Sequence, residues 1–296
     1  MTGAELFIQC LAAGGIDTVY ALPGEETSAL MDALEASDID LVLCRHEQAA
    51  AFMASAHGRL TGRPAACLAT LGPGATNLVT GVADATLDHV PMLAITGQGG
   101  RERIGRDSHQ MLDLARLFEP VTKRSRTVME AGRIPGAVAE ALHVATAPRP
   151  GAVHLSLPED VADGPAEEVP LAPPPAAPVT AHADSIAAMA RHLAEARRPF
   201  ALIGAGVLRD HAVEAVRGFL DETGMPAATS FMAKGVLPDA APCNLGAFGL
   251  PTVDHVDRAI DSADLLVTIG LDPVEYPLSK LTDAGRIPVL SLAETS

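Results

Sequence analysis

Residues 41–60 read LVLCRHEQAAAFMASAHGRL, and the reading of this stretch decides the fold. Leu41, Val42, Leu43 and Cys44 form a short apolar run of the kind that makes a buried strand. A helical stretch follows, built almost wholly of Ala, Phe, Met, Ser and Gly. Arg45, His46, Glu47 and Gln48 sit at the junction. A helix apolar on all sides is buried in a core or at a subunit interface. Glu47 therefore stands at the head of an element that offers it little water, and desolvation disfavours the charged form of a carboxyl. Two readings of the residue stay open at this point. It pairs with Arg45 or His46 or caps the helix, or it is the acid of a site.

The same unit repeats outward along the chain. Candidate strands are DTVYAL (17–22), DLVLC (40–44), AACLATL (65–71), PMLAITG (91–97), VTKRSRTV (121–128) and AVHLSL (152–157). Helical patterns fall between them at 27–36, 47–61, 75–88, 109–118 and 132–146. Buried strands alternating with helices indicate a parallel sheet covered on both faces. The first domain is expected over residues 1–160. Residues 161–181 are rich in Pro and Ala without a helical or strand period, and read as an extended linker. The alternation resumes over 182–296, with helices at 183–197, 211–223 and near 252–262. The strands there are FALIGAG (200–206), PAATS (226–230), DLLVTIG (264–270) and IPVLSL (287–292). This second parallel-sheet α/β domain shows four strands and stops without a further helix, so it is expected to be incomplete.

Composition narrows the class. The 296 residues are 48% hydrophobic with seven Phe, two Tyr and no Trp, so Ala, Val, Leu and Ile must fill the core. The net charge of −16, from 37 acids and 21 bases, argues against a nucleic-acid or anionic-membrane partner, since both reward a basic face. The four cysteines, Cys10, Cys44, Cys67 and Cys243, have no C-x-x-C spacing and read as core thiols of a reducing compartment. No run approaches the ~20 apolar residues of a membrane span. The N-terminus lacks a basic segment before an apolar one, so no signal peptide is expected and the location expected is cytoplasmic.

In open parallel sheets ligands bind beyond the carboxyl ends of the strands. The segments at those ends are PGEETS (23–28), RHEQ (45–48), GPGATN (72–77) and GQGGRERIGRDSHQ (97–110). GPGATN is a Gly-rich turn into a helix, which offers backbone N–H groups to an anion or is simply a tight turn. It has no Lys and is not a nucleotide P-loop. IGAGV (203–207) carries only G-x-G and is a weak dinucleotide signal. Glu25 and Glu26 suit a helix start, where the macrodipole favours acids. The histidines show no metal-ligand spacing. His109 either lines a site or lies in a solvated loop, as does the basic run 99–107.

The stretches LPGEETSALMDAL, RHEQAAAFMASAHGRLTGRPAACLATLGPGATNLVTGVADA, VPMLAITGQ, RPGAVHLSLPEDVA and SFMAKGVLPD resemble the acetolactate synthase large-subunit-like branch of the thiamine diphosphate enzymes. The resemblance implies a pyrimidine-binding domain followed by part of a central domain. In that family the glutamate at the position of Glu47 hydrogen-bonds N1′ of the cofactor's aminopyrimidine. The ring's 4′-nitrogen then takes the C2 proton of the thiazolium, and the carbanion attacks a 2-keto acid such as pyruvate. The resemblance also implies that Pro23 and Gly24 border the pyrimidine, that Gly72, Pro73, Gly74 and Asn77 pack beside it, and that Gln110 faces the reacting centre. Glu25 stands where the synthases proper carry a second glycine and His109 where they carry a phenylalanine, which leaves the acceptor open. GLDPVEY (270–276) lacks the Arg-rich pattern with which those enzymes hold FAD, so FAD is open too.

The family holds Mg²⁺ and the diphosphate through the hard oxygen ligands of a Gly-Asp-Gly and a later Asn. This chain has no Gly-Asp-Gly, and its two asparagines, Asn77 and Asn244, are placed elsewhere. No residue here is therefore expected to bind metal. A diphosphate-binding domain is expected from the rest of the chain or another subunit, within a homodimer or homotetramer, and residues 1–296 alone are expected to be inactive. The alternatives are a non-catalytic binding or assembly module and another thiamine diphosphate-dependent decarboxylase or lyase.

Overall fold

The computed structural model describes residues 1–174, 180–249, 254–277, 279 and 287–293. The chain separates into two compact units, 1–177 and 178–296, each described here by itself. Residues 175–179 of the expected linker and 252–253 of the expected helix near 252–262 lie outside the described residues.

The first unit runs α1 (Gly3–Ala13), β1 (Thr18–Leu22), α2 (Ser28–Glu35), β2 (Asp40–Leu43), α3 (Glu47–Thr61), β3 (Ala65–Ala69), α4 (Pro73–Leu87), β4 (Met92–Gln98), α5 (Leu114–Phe118), β5 (Arg124–Thr127), α6 (Ile134–Thr146), β6 (Ala152–Pro158) and α7 (Glu159–Asp163). The six strands form one parallel sheet in the order β2-β1-β3-β4-β6-β5. One face carries Val19, Leu68, Ile95 and Leu155 against α1, α2 and α6. The other carries Cys67, Ala69, Met92 and Ala94 against α3, α4 and α5. Strands covered on both faces have no polar side to show, which is why β3, β4 and β6 read as unbroken apolar runs.

Four elements differ from the sequence reading. β2, expected to be buried, is the edge strand of the sheet with Val42 and Leu43 exposed, and α7, not predicted, carries helix into the start of the expected linker. α1 is not among the predicted helices, yet Thr2 and Glu5 close a capping box at its start, and Leu6, Phe7, Ile8 and Leu11 are buried beneath it. The helix expected at 109–118 is only five residues long. Gln110 takes φ +57, and Asp113 caps the helix by accepting from Arg116 N–H at 3.1 Å, so helical geometry begins at Leu114.

His154, fully buried on β6, ties the far strands together. Its ring bonds Ser125 Oγ of β5 at 2.8 Å and Thr96 Oγ1 of β4 at 2.9 Å, and it stacks on Phe118 with centroids 4.0 Å apart. Burial pushes its pKa down to about 3, so the ring is neutral.

The second unit comprises α8 (Ala183–Glu195), β7 (Pro199–Ile203), α9 (Gly206–Arg209), α10 (Val213–Thr223), β8 (Ala227–Thr229), β9 (Asn244–Ala247), α11 (His255–Ser262), β10 (Leu265–Ile269) and β11 (Val289–Leu292). Among the described residues its parallel sheet has five strands, in the order β11-β10-β7-β8-β9, rather than the four expected. The additional strand is β9, NLGA. It pairs irregularly with β8 and contains a glycine at φ +107, so it carries neither an apolar run nor a strand period. His211 at φ +53 divides the helix expected at 211–223 from the preceding turn, leaving α9 and α10. Cys10, Cys44 and Cys67 are buried free thiols and Cys243 is half-buried. Among the described residues no helix is long and apolar enough to cross a membrane.

Candidate active site

In the first sheet the chain leaves β1 toward β2 on one side, while β3 lies on the other. The crevice between the carboxyl ends of β1 and β3 is thus a topological switch point, where open α/β sheets hold ligands. Four segments meet there, and three glycines bring them together. Gly24, after β1, packs its Cα on the Thr70 side chain so tightly that no Cβ fits. A Cβ on Gly74 would lie 2.9 Å from Thr70 Cγ2 and 3.3 Å from Glu47 Oε1. Gly72, at φ +56, would place one 2.8 Å from both Cβ and O of Gln110. Glycine is required at Gly72 by both its backbone conformation and its neighbour.

Glu47 is the first residue of α3 and is 8% exposed. Its partner is Asn77, whose Nδ2 donates to Oε2 at 3.0 Å, rather than Arg45 or His46. The His46 ring instead caps the helix, accepting from Gln48 N–H at 3.1 Å. Asn77 lies one turn into α4, behind Pro73 at the first helical position, which suits a residue without an N–H. The two helices run close enough for Gly81 to rest on Ala51, and this crossing brings their heads, Glu47 and Asn77, within bonding distance. The Asn77 amide occupies one carboxylate oxygen. Oε1 lies on the Gly74 side, 3.3 Å from where a Cβ on that residue would stand. A carboxyl oxygen shielded from water and facing a residue without a side chain is a group able to exchange a proton with a ligand.

Pro23 is exposed and Gly24 half-buried in the loop after β1. Thr27 Oγ1 donates to Gly24 O at 2.9 Å and accepts from Gly24 N–H at 3.0 Å, which fixes that loop. Gln110 is exposed, and the loop carrying it is anchored by buried Gln98, whose Nε2 donates to Leu112 O at 3.0 Å. A cavity of about 230 Å³ beneath this loop is lined by Gln98, Arg106, Met111 and Thr127 among others. Glu25 and His109 are both exposed.

Three residues at the site are given no site role in the sequence reading. Thr70 packs against both Gly24 and Gly74 and donates to Glu26 Oε2 at 2.7 Å, so Glu26 ties two loops rather than merely serving a helix start. Gln98 is the third. A polar residue ending a buried apolar strand was the available signal in both AACLAT and MLAITGQ.

The flank of α3 turned away from Glu47's partners is uncovered among the described residues. Phe52, Met53 and Leu60 are 39%, 44% and 85% exposed, and Leu43 on the neighbouring edge strand is 65% exposed. The helix, expected to be apolar and buried on all sides, is buried on only one side and carries exposed Gln48 and Arg59 as well as the apolar residues. Among the described residues no group of His, Cys, Asp and Glu is arranged to hold a metal ion.

Residues 1–117 match the model of the thiamine pyrophosphate enzyme N-terminal TPP binding domain, and residues 186–287 match that of the thiamine pyrophosphate enzyme central domain. Among curated proteins the chain is similar to the acetolactate synthase of Mycobacterium bovis, with 39% identity over 278 residues, covering 91% of this chain and 44% of that protein. The acetolactate synthase of Bacillus subtilis is 38% identical over 282 residues, covering 93% of this chain and 48% of its own length. A probable acetolactate synthase large subunit of Methanocaldococcus jannaschii is 38% identical over 277 residues, 91% of this chain and 47% of that one. The chain thus spans a little under half the length of these relatives. It belongs to the thiamine pyrophosphate enzyme family, matching that family's N-terminal TPP-binding domain and central domain.

Proposed function

We propose that this chain is the pyrimidine-binding and central part of a thiamine diphosphate-dependent, acetolactate synthase-like enzyme that decarboxylates a 2-keto acid such as pyruvate and transfers the two-carbon unit. The observation that carries the reading is the buried Glu47 carboxyl, held by Asn77 through one oxygen and with the other lying on the Gly74 side. The cofactor, when bound, supplies the nucleophilic carbon and the electron sink for decarboxylation. Glu47 is the residue that shares a proton with the pyrimidine edge through Oε1, an acid–base task suited to a site with little water. Asn77 fixes the plane of the carboxyl and occupies Oε2. Pro23, Gly24, Gly72, Pro73 and Gly74 form the walls beside the pyrimidine. Gln110, at the mouth, faces the keto acid.

The uncovered face of α3 supports a macromolecular partner. It is the surface on which a diphosphate-binding domain, from the rest of the chain or a second subunit, would seat and exclude water from Glu47. That domain would hold Mg²⁺ and the diphosphate. The assembly is a cytoplasmic homodimer or homotetramer, with residues 1–160 as the pyrimidine domain, 161–181 as the linker and 182–296 as the central domain. The exposed His109 and Glu25 beside the mouth leave the acceptor open and keep a related decarboxylase as the second reading.

The test is an assay of the complete protein with thiamine diphosphate, Mg²⁺ and pyruvate, following both CO₂ and acetolactate. Release of CO₂ with acetolactate supports the synthase, release of CO₂ without it supports the second reading, and no turnover of any 2-keto acid removes both.

A further inference from the structure

The central unit has its own switch point. β7 lies in the middle of the second sheet with β8 on one side and β10 on the other, so the crevice opens between the turn after β7 and the turn after β10. The turn after β7 is Gly204-Ala205-Gly206, the G-x-G expected of a dinucleotide site. For such a site its backbone N–H groups must be free to meet a diphosphate, and its glycines must leave room for one.

Neither condition is met. Gly204 N–H donates to Ile269 O at 2.9 Å, Gly206 N–H to Gly270 O at 2.9 Å, Val207 N–H to Gly204 O at 3.2 Å and Leu208 N–H to Ala205 O at 3.0 Å. The remaining amide, Ala205 N–H, donates to Glu275 Oε1 at 3.0 Å. The glycines are spent on packing backbone against backbone. A Cβ on Gly206 would lie 2.8 Å from Gly270 Cα, and Gly204 abuts Gly270 and Leu271 with no space for one. The other Glu275 oxygen accepts from Ser230 Oγ, which follows β8, so one carboxylate links the turns after β7, β8 and β10.

We propose that Glu275 is a resident anion of the central unit: its carboxylate takes the place a diphosphate would need, locks the switch-point turns together and makes this unit unable to hold a dinucleotide such as FAD. The role follows from a side chain that arrives from the 270–276 segment, the same segment in which no Arg-rich pattern occurs. A fixed carboxylate both satisfies the amide that would meet the phosphate and repels the phosphate charge. This inference is independent of the catalytic reading of the first unit.

The experiment uses the complete protein and needs no turnover. Denaturing protein purified natively is expected to release no flavin, and titration with FAD is expected to leave FAD fluorescence unquenched. By hydrogen exchange the Ala205 amide is expected to be protected in the wild type and in Glu275→Gln, which keeps an acceptor oxygen. In Glu275→Ala its exchange is expected to rise about tenfold or more, as for loss of a bond to a charged acceptor. Should the Ala variant fail to fold, the wild-type and Gln measurements still decide. Stoichiometric flavin, saturable quenching by FAD, or an unprotected Ala205 amide in the wild type would overturn the proposal.

Discussion

Replacing Gly81 by alanine tests how the fold builds the site. Gly81 lies in the middle of α4 where it crosses α3, and an added Cβ would lie 2.6 Å from Ala51 Cβ and 3.1 Å from Ala51 C and Phe52 N. Carbon atoms in ordinary contact sit ~3.5–4.0 Å apart, so the helices must separate by about 1 Å. Overpacking of this kind costs ~1–3 kcal/mol, offset by ~1 kcal/mol from the better helix propensity of alanine. The net expectation is a loss of about 1 kcal/mol, read from denaturant unfolding of the complete protein. The larger effect falls one turn away. Asn77 precedes Gly81 by four residues and Glu47 precedes Ala51 by four, so the separation is transmitted to the 3.0 Å bond between their side chains. Lengthened by about 1 Å, that bond is lost. A hydrogen bond to a charged group is worth ~1.5–3 kcal/mol, so cofactor affinity or turnover should fall about tenfold to a hundredfold. A Gly81→Ala protein stabilised by the propensity gain, with unchanged cofactor affinity and turnover, would show that the crossing does not set the Glu47–Asn77 geometry.

Three further outcomes are expected. The folded-state pKa of His154, about 3, lies below its ordinary 6.5, so the unfolded chain binds the extra proton between those values. Its stabilising contribution is therefore complete above pH 6.5 and lost as pH falls toward 3, with a slope approaching ~1.4 kcal/mol per pH unit. His154→Gln should flatten the stability–pH curve in that window, and parallel curves would refute the assignment. Gln110→Gly removes a left-handed strain of ~1 kcal/mol while adding ~0.5–1 kcal/mol of backbone entropy cost. The melting temperature should thus barely move while kcat falls, and unchanged kcat would take Gln110 out of the site. Leu60→Glu together with Phe52→Glu should weaken assembly of the complete protein in analytical ultracentrifugation, because both side chains lie on the uncovered flank of α3. An unaltered sedimentation profile would leave that face without a partner.

What the sequence reveals of this molecule follows from how each element is stabilised. α3 is read to the residue, since an apolar run between His46 and Gly62 begins at a cap and ends at a glycine in left-handed conformation. The buried parallel strands declare themselves by unbroken Val, Ile, Leu and Ala. β9 does not, because an irregular ladder against β8 holds it rather than a buried apolar run. α1 is signalled only by the Thr2–Glu5 box, which is easily passed over at a chain start. The 109–118 segment misleads because helical spacing of apolar residues cannot reveal that Gln110 has left helical φ. At the site, Glu47 and the glycine turn are visible from residue type and position. The Asn77–Glu47 bond, the Thr70 contacts and the filling of the central crevice by Glu275 depend on partners 30, 46 and 70 residues apart. Only the folded chain brings them together.

The most direct measurement of the central claim is the turnover of pyruvate by the Glu47→Gln variant of the complete protein at saturating thiamine diphosphate and Mg²⁺. Glutamine keeps the size of the side chain and an acceptor oxygen for Asn77, but cannot share a proton through the oxygen beside Gly74. The fold should be intact by circular dichroism, and kcat should fall ~10²–10⁴-fold, the usual contribution of a positioned acid or base. A variant that folds and decarboxylates pyruvate within a few-fold of the wild type would mean that Glu47 is a structural partner of Asn77 and nothing more.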